Sequence, residues 1–241
     1  MVTLTIDRRE VQAEEGATIL EVAKESNIYI PSLCHNEGVI PYGACRLCLV
    51  EIMRNGRQRL VASCLYPVEE GLVVKTNSER VINNRKMIME LLLARCPDSE
   101  MIQGLAKQLG VKKTTFKVEE DNRKCILCAL CARVCEEVVG VSAISLVNRG
   151  VDRQLATPFY EPSVVCIGCG SCAYVCPTGA IEMEDVGDTR VVSMPHVKME
   201  FKLKKCKTCG HYWAPESQLD YIAKKWNLAP EVFDNCPNCR D

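Results

Sequence analysis

Four cysteines recur twice in this chain at one spacing, C-x2-C-x2-C-x3-C. The first run is Cys125, Cys128, Cys131 and Cys135; the second is Cys166, Cys169, Cys172 and Cys176, followed by Pro177. Three thiolates at this spacing can face three corners of a compact iron–sulfur cube. In such paired runs the fourth cysteine ligates the other cluster. The spacing therefore predicts two [4Fe–4S] clusters, one on Cys125, Cys128, Cys131 and Cys176, the other on Cys166, Cys169, Cys172 and Cys135. The repeat implies pseudo-twofold symmetry across residues 121–186. Glu136 departs from it, standing where the second run has proline.

The rest of the cysteine inventory points the same way. The chain has 17 cysteines in 241 residues, and 16 of them fall into spaced groups. Its start, MVTLTIDRREVQAEEG, is charged and alternating and has no apolar signal-peptide core. No apolar run approaches the length needed to span a bilayer. The expectation is a cytoplasmic, reducing compartment in which thiols bind metals instead of pairing. Cys96, the odd one out, reads as a buried thiol. Thirty basic against 31 acidic residues leave a net charge of −1. That gives no electrostatic case for nucleic acid as a partner.

Two further groups complete the set. Cys34, Cys45, Cys48 and Cys64 follow a strand–helix pattern, with the inner pair in GACRLC. Four thiolates, two per iron, are what a [2Fe–2S] cluster needs. Gly43 lets the main chain curl closely around such a site. The interval from Cys34 to Cys45 is longer than in plant-type ferredoxins. Cys206 and Cys209 (CKTCG) and Cys236 and Cys239 (CPNC) form two C-x2-C knuckles. Together they can present four sulfurs tetrahedrally to one metal. Zinc is the expectation and a rubredoxin-type single iron the alternative.

The fold class expected is α+β and multi-domain. Residues 1–77 read as a β-grasp, plant-type-like [2Fe–2S] ferredoxin domain. Val2, Leu4 and Ile6 alternate as in a half-buried strand, and a hairpin partner falls at Val11 to Glu15. Thr18-Ile19-Leu20-Glu21 has the form of a capping box opening a helix to about Ser26. Strands are expected at Leu49 to Met53 and Leu72 to Thr76. Residues 78–120 read as a helical connector. Val81, Ile82, Ile88, Met89 and Leu92 fit a helical period, with Arg85 the exception. Cys96-Pro97 breaks that helix, and a second runs from Ser99 to Leu109, ending at Gly110. Residues 121–186 form the two-[4Fe–4S] ferredoxin domain, 187–200 a linker, and 201–241 a four-cysteine zinc-ribbon or rubredoxin-like unit with a helix over Glu216 to Trp226.

Other features are set aside. His35 adjoins Cys34, but a Rieske centre needs two histidines in place of two cysteines, and four cysteines are present. His196 and His211 read as solvent-facing or locally bonded, and the lysines at 198, 202, 204, 205 and 207 as a solvated face, with a partner-docking patch the alternative. No G-x-G-x-x-G or Walker A sequence occurs, so this chain carries no flavin or nucleotide fingerprint. Each cluster has four cysteine ligands and no open iron. No catalytic residue is expected.

The segments IPSLC, GACRLCLVEI, VASC, CILCALCARVC, ISLVNRG and CIGCGSCAYVCPTGAI, spread over residues 1–185, carry a family resemblance. They resemble the N-terminal part of the large iron–sulfur subunit of respiratory complex I. They are also similar to the small diaphorase subunit of NAD-linked [NiFe] hydrogenases and to the N-terminal region of [FeFe] hydrogenases. Many relatives bind a further [4Fe–4S] cluster through one histidine and three cysteines in the middle segment. Here that segment has one cysteine and no histidine, so neither that cluster nor the catalytic domain of [FeFe] hydrogenases is expected. The resemblance implies a non-catalytic electron-relay subunit of a soluble oxidoreductase. It would pass electrons between a flavin- and NAD(P)-binding partner and a catalytic partner such as a [NiFe] hydrogenase or a formate dehydrogenase. Electron-bifurcating assemblies are among the arrangements it allows. A rival reading is an iron–sulfur sensor or scaffold that uses the C-terminal ribbon to bind a partner.

Overall fold

The computed structural model describes residues 1–54, 56–118 and 124–240. They fall into two compact units, Met1–Cys128 and Ala129–Asp241. The expected boundary between connector and dicluster domain, at 120/121, lies outside the described residues.

The first unit opens with a hairpin of β1 (Val2–Ile6) and β2 (Arg9–Ala13). Its turn residues, Asp7 and Arg8, both have positive φ, the twist that a two-residue turn between right-twisted strands requires. Helix α1 (Ile19–Glu25) starts at the anticipated capping box. The Thr18 hydroxyl accepts from the Glu21 amide while the Glu21 carboxylate accepts from the Thr18 amide. Strands β3 (Leu49–Arg54) and β4 (Arg57–Ala62) form a second hairpin, and β5 (Val73–Lys75) joins the two. The five-stranded order is β2-β1-β5-β3-β4, with β1 and β5 parallel. Leu4, Ile6, Leu20, Val50, Ile52 and Val74 build one core from the sheet and α1. Burial of each is worth about 1.5–3 kcal/mol.

Helix α2 (Glu79–Arg95) follows, its Ser78 hydroxyl accepting from the Val81 amide. Val81, Arg85 and Met89, spaced four apart, are its buried stripe. Cys96 caps it and is fully buried. Helix α3 (Glu100–Gln108) stops at Gly110, which takes the left-handed geometry of a helix terminator.

The second unit begins with the short helix α4 (Leu130–Arg133), which widens into a π-helical turn over Val134–Val139. A small hairpin, β6 (Ser145–Val147) and β7 (Gln154–Ala156), precedes the four-residue helix α5 (Ser171–Tyr174). Strands β8 (Glu182–Val186), β9 (Thr189–Ser193), β10 (Lys198–Lys205) and β11 (Tyr212–Pro215) form an antiparallel sheet in the order β11-β10-β9-β8. Helix α6 (Glu216–Trp226) packs Leu219 against Ala214 and Phe233.

This sheet corrects the expectation of a linker at 187–200. Gly187 supplies a positive-φ turn, and Thr189 to Ser193, with β-branched Thr189, Val191 and Val192, pairs on both sides. The charged residues of β10 alternate with buried Met199 and Leu203, so a sequence rich in lysine and glutamate is a half-buried strand. The C-terminal cysteines are thus carried on the sheet that leaves the second cysteine run. Helix α6 also braces that region: the Ser217 hydroxyl donates to the Ile167 carbonyl (3.1 Å) and the Tyr221 hydroxyl to the Val139 carbonyl (3.0 Å).

Candidate metal and cluster centres

The first sulfur group sits where three loops meet at one end of the five-stranded sheet. Cys34 follows α1, Cys45 and Cys48 precede β3, and Cys64 follows β4. All four are buried. The Leu33 amide donates to Cys45 Sγ and the Cys45 amide to Cys34 Sγ, both at 3.4 Å, and the Cys48 and Cys64 sulfurs lie 3.4 Å apart. The loop needs left-handed backbone at Gly43 and Arg46. A Cβ at Gly43 would stand 2.5 Å from Leu65 Cδ1, so any side chain there would have to displace Leu65. Cys64 hydrogen-bonds the Cys48 sulfur and draws its thiol down to about 6, while Cys64 itself is pushed up. The Ser63 hydroxyl is fully buried beside Cys48 and makes no hydrogen bond of good geometry among the described residues. An unpaired buried hydroxyl costs about 1–3 kcal/mol, and a sulfide acceptor would satisfy it. Donor set, burial and orphaned hydroxyl all fit a two-iron cluster.

In the second unit one cavity is lined by Cys135, Cys166, Cys169 and Cys172, with walls from Val139, Ile144, Ile167, Val192 and Met194. Its four sulfurs combine three members of the second run with the last member of the first. Burial, then the neighbouring Cys169, Cys166 and Cys135, pushes the Cys172 thiol up to about 12. Gly168 and Gly170 hold left-handed backbone along the run. Cβ atoms there would meet the Phe201 ring at 2.6 Å and the Met183 sulfur at 2.2 Å. The Ala143 amide donates to Cys135 Sγ (3.3 Å), and the Ala180 amide to Cys176 Sγ (3.2 Å). The remaining quartet is divided between the units, Cys125 and Cys128 in the first, Cys131 and Cys176 in the second. The Cys125 carbonyl accepts from Arg95 Nε at 2.9 Å.

The C-terminal sulfurs are the tightest group. Those of Cys206, Cys209, Cys236 and Cys239 all lie within 4.8 Å of one another. Metal–sulfur bonds of about 2.3 Å in a tetrahedron put sulfurs about 3.8 Å apart, so the group fits one metal and leaves no room for a cluster. Gly210 turns the first knuckle, donating to the Cys206 carbonyl, and the Cys206 amide bonds the His211 carbonyl. Amides of Cys209 and Cys236 draw the Cys206 thiol down to about 6. Four thiolates fit zinc and ferrous iron alike. Asp234 ties the knuckles together, its carbonyl accepting from the Lys207 amide and its carboxylate from the Lys207 ammonium.

Sequence reasoning passed over two features of these sites. One is Ser63, inconspicuous inside VASC. The other is the left-handed backbone at Leu127 and Ala129, which could have been found by aligning the two runs, because glycines stand at the matching positions 168 and 170.

Two families match. One, described as a 2Fe-2S iron-sulfur cluster binding domain, covers residues 1–79. The other, a 4Fe-4S dicluster domain, covers 165–211, so it takes in the second run together with Cys206 and Cys209. The chain is 36% identical over 212 residues to the NADP-reducing hydrogenase subunit HndD of Solidesulfovibrio fructosivorans, covering 75% of this chain and 36% of that protein. It is 32% identical over 264 residues to an NADH-quinone oxidoreductase subunit of Rhizobium meliloti, covering 99% of this chain and 27% of that one. The chain therefore spans about a third or less of these curated relatives. Among solved structures it is similar to a chain of an NAD+-reducing [NiFe]-hydrogenase in the H2-reduced state. That match has 32% identity and a TM-score of 0.57, over 65% of this chain and 74% of that one.

Proposed function

Because the chain belongs to the family of [2Fe–2S] and [4Fe–4S] iron–sulfur subunits found in NAD(P)-linked hydrogenases and NADH-quinone oxidoreductases, we propose that it relays electrons between two partner proteins of such a complex. When bound, the clusters supply reversible one-electron carriers. Cys34, Cys45, Cys48 and Cys64 would hold the [2Fe–2S] cluster. Cys125, Cys128, Cys131 and Cys176 would hold one [4Fe–4S] cluster, and Cys166, Cys169, Cys172 and Cys135 the other. The C-terminal quartet would hold zinc in a structural role. A tetrahedral four-thiolate site admits no substrate.

The observation that carries this reading is the cavity lined by Cys135 together with Cys166, Cys169 and Cys172, the company that crossed ligation demands. The chain's own groups set the electrostatics of the sites. Amides of Leu33 and Cys45 donate to the first sulfur group, and those of Ala143 and Ala180 to Cys135 and Cys176. Such bonds favour the more negative, reduced state. Burial of the first group excludes water and rivals of the thiolate ligands.

The partners in this reading are a flavin- and NAD(P)-binding subunit and a catalytic subunit, with a [NiFe] hydrogenase or formate dehydrogenase as the type and bifurcation as one arrangement. Phe159 is 90% exposed and Val164 fully exposed beside the second run, and Tyr174 within it is 91% exposed. Apolar surface of that kind suits a protein partner. Thiolate ligands call for a reducing compartment, so a cytoplasmic location belongs to the reading. Among the described residues no helix is long and apolar enough to cross a membrane.

The test is metal analysis with EPR on anaerobically purified, reduced protein. About ten cluster irons per chain are expected from one two-iron and two four-iron clusters, plus one zinc. A third [4Fe–4S] signal, or no [2Fe–2S] signal, would overturn the assignment. An additional iron with rubredoxin-like red absorption in place of zinc would reassign the C-terminal site.

A further inference from the structure

Arg85 breaks the apolar pattern of α2, yet it is turned inward and only 6% exposed. Its Nε donates to the Leu47 carbonyl (3.0 Å) and its Nη2 to the Leu49 carbonyl (2.6 Å). These two carbonyls flank Cys48, so the guanidinium grips the loop that presents a cluster ligand. Arginine stays charged when buried, and a buried cation needs a counter-charge. Among the described residues no carboxylate lies within ion-pair distance of it. Glu51, the buried carboxylate on neighbouring β3, pairs with Arg80 at 3.7 Å instead. Burial pulls the guanidinium below its ordinary value, and the charges opposing that pull are the Cys48 thiolate first, then Tyr29 and the Asp7 carboxylate.

We propose that Arg85 is the positive charge that sets the potential of the [2Fe–2S] site, its main counter-charge being the thiolate cluster itself. This rests on the ligand set proposed above. Four thiolates and two sulfides outweigh two ferric irons, so the site is anionic, and reduction adds one more negative charge. A fixed cation at the ligand loop stabilises the reduced state more than the oxidised one and raises the potential. The two carbonyl bonds hold the charge in place, and α2 delivers it from outside the sheet. Arg85 is thus a positioning and tuning residue; it ligates nothing.

The experiment is an EPR-monitored redox titration of the full chain in wild-type, Arg85→Gln and Arg85→Lys forms, with iron content measured beside it. Gln keeps an amide that can bond one carbonyl but loses the charge; Lys keeps the charge but loses the fork. For Gln the ratio of oxidised to reduced [2Fe–2S] at fixed potential should rise at least tenfold, equivalent to a fall of about 59 mV for one electron. The [4Fe–4S] signals should not shift. Lys should stay within a factor of a few of wild type. A Gln variant that cannot be loaded while Lys loads at wild-type potential also supports the proposal, since charge alone separates the two. A loaded Gln variant at wild-type potential would overturn it, as would a Lys variant that shifts as far as Gln or fails to load. A wild-type protein without a [2Fe–2S] signal would instead sink the ligand set, and Arg85's role with it.

Discussion

The two cysteine runs have the same spacing and different backbones around it. In each, the last cysteine sulfur accepts an amide from an Ala-Ile pair: Ala143 for Cys135 and Ala180 for Cys176. In each, the residue before that alanine is left-handed, Ser142 in one and Gly179 in the other. Yet the second run closes this bond with Pro177, Thr178 and Gly179, while the first needs residues 136–142. Proline cannot continue a helix, so the second chain turns at once. Glu136 in the matching place can continue it, and the helix widens into the π-helical turn Val134–Val139. That turn ends with the amides of Gly140, Val141 and Ser142 all on the Cys135 carbonyl. Ligand spacing is held by the metal chemistry; the route between ligands is free to follow local residue preference.

Exchanging ligands breaks the comparison most severely. If the runs cross, Cys176→Ser should remove the cluster of Cys125, Cys128 and Cys131, and Cys135→Ser that of Cys166, Cys169 and Cys172. Each variant should lose about four irons and keep one [4Fe–4S] EPR signal. The [2Fe–2S] signal should be untouched in both. If Cys176→Ser instead destroyed the cluster of its own run, each run would be self-contained, and the cavity shared by Cys135 would have another explanation.

A smaller effect is expected from the glycines of the second run. Gly170→Ala forces a Cβ to within 2.2 Å of the Met183 sulfur and leaves φ at +77°. Overpacking costs about 1–3 kcal/mol, and the left-handed backbone adds about 1–2 kcal/mol for a residue with a side chain. Met183 is flexible and 42% exposed, so it can absorb part of the clash. Gly168→Ala meets the Phe201 ring instead, which can yield less. The expectation is that both variants lose their [4Fe–4S] absorbance at lower urea than wild type, Gly168→Ala the more so. Equal or greater resistance in either would mean that the loop relaxes without strain.

How much of these regions is legible in the sequence follows from which forces are local. The capping box at Thr18, the breaks at Cys96 and Gly110, and the helix from Glu216 to Trp226 rest on neighbours in sequence, and each can be read there. Strand β4 cannot, because its first half, Arg57 to Arg59, is polar and exposed and the strand gains its place from pairing with β3. Strand β9 and the start of β10 read as linker for the same reason, since their order comes from sheet partners. The grouping of sulfurs is legible as spacing, whereas ligation by each quartet is a proposal. Arg85 registers only as an irregularity in an apolar stripe. Its meaning depends on the carbonyls of Leu47 and Leu49, nearly forty residues upstream, which no local pattern reveals.

The mildest probe reverses the glycine substitution in the first run. Ala129 matches Gly170 in position and has φ +64°, so it carries the strain that glycine avoids, about 1–2 kcal/mol. Ala129→Gly removes that strain. Against it stand the extra freedom of glycine in the unfolded chain, about 0.5–1 kcal/mol, and the burial of one methyl, about 0.8 kcal/mol, since Ala129 is only 6% exposed. The three nearly cancel, so the change should lie within about 1 kcal/mol of zero, or roughly 2–4 °C in melting midpoint for a chain of this size. Paired with Gly170→Ala, it isolates what differs between the runs: at one position a Cβ is tolerated under strain, at the other it must push Met183 aside. An Ala129→Gly variant that lost stability as heavily as Gly170→Ala would show that the methyl packs into its site. The strain at 129 would then be the lesser force.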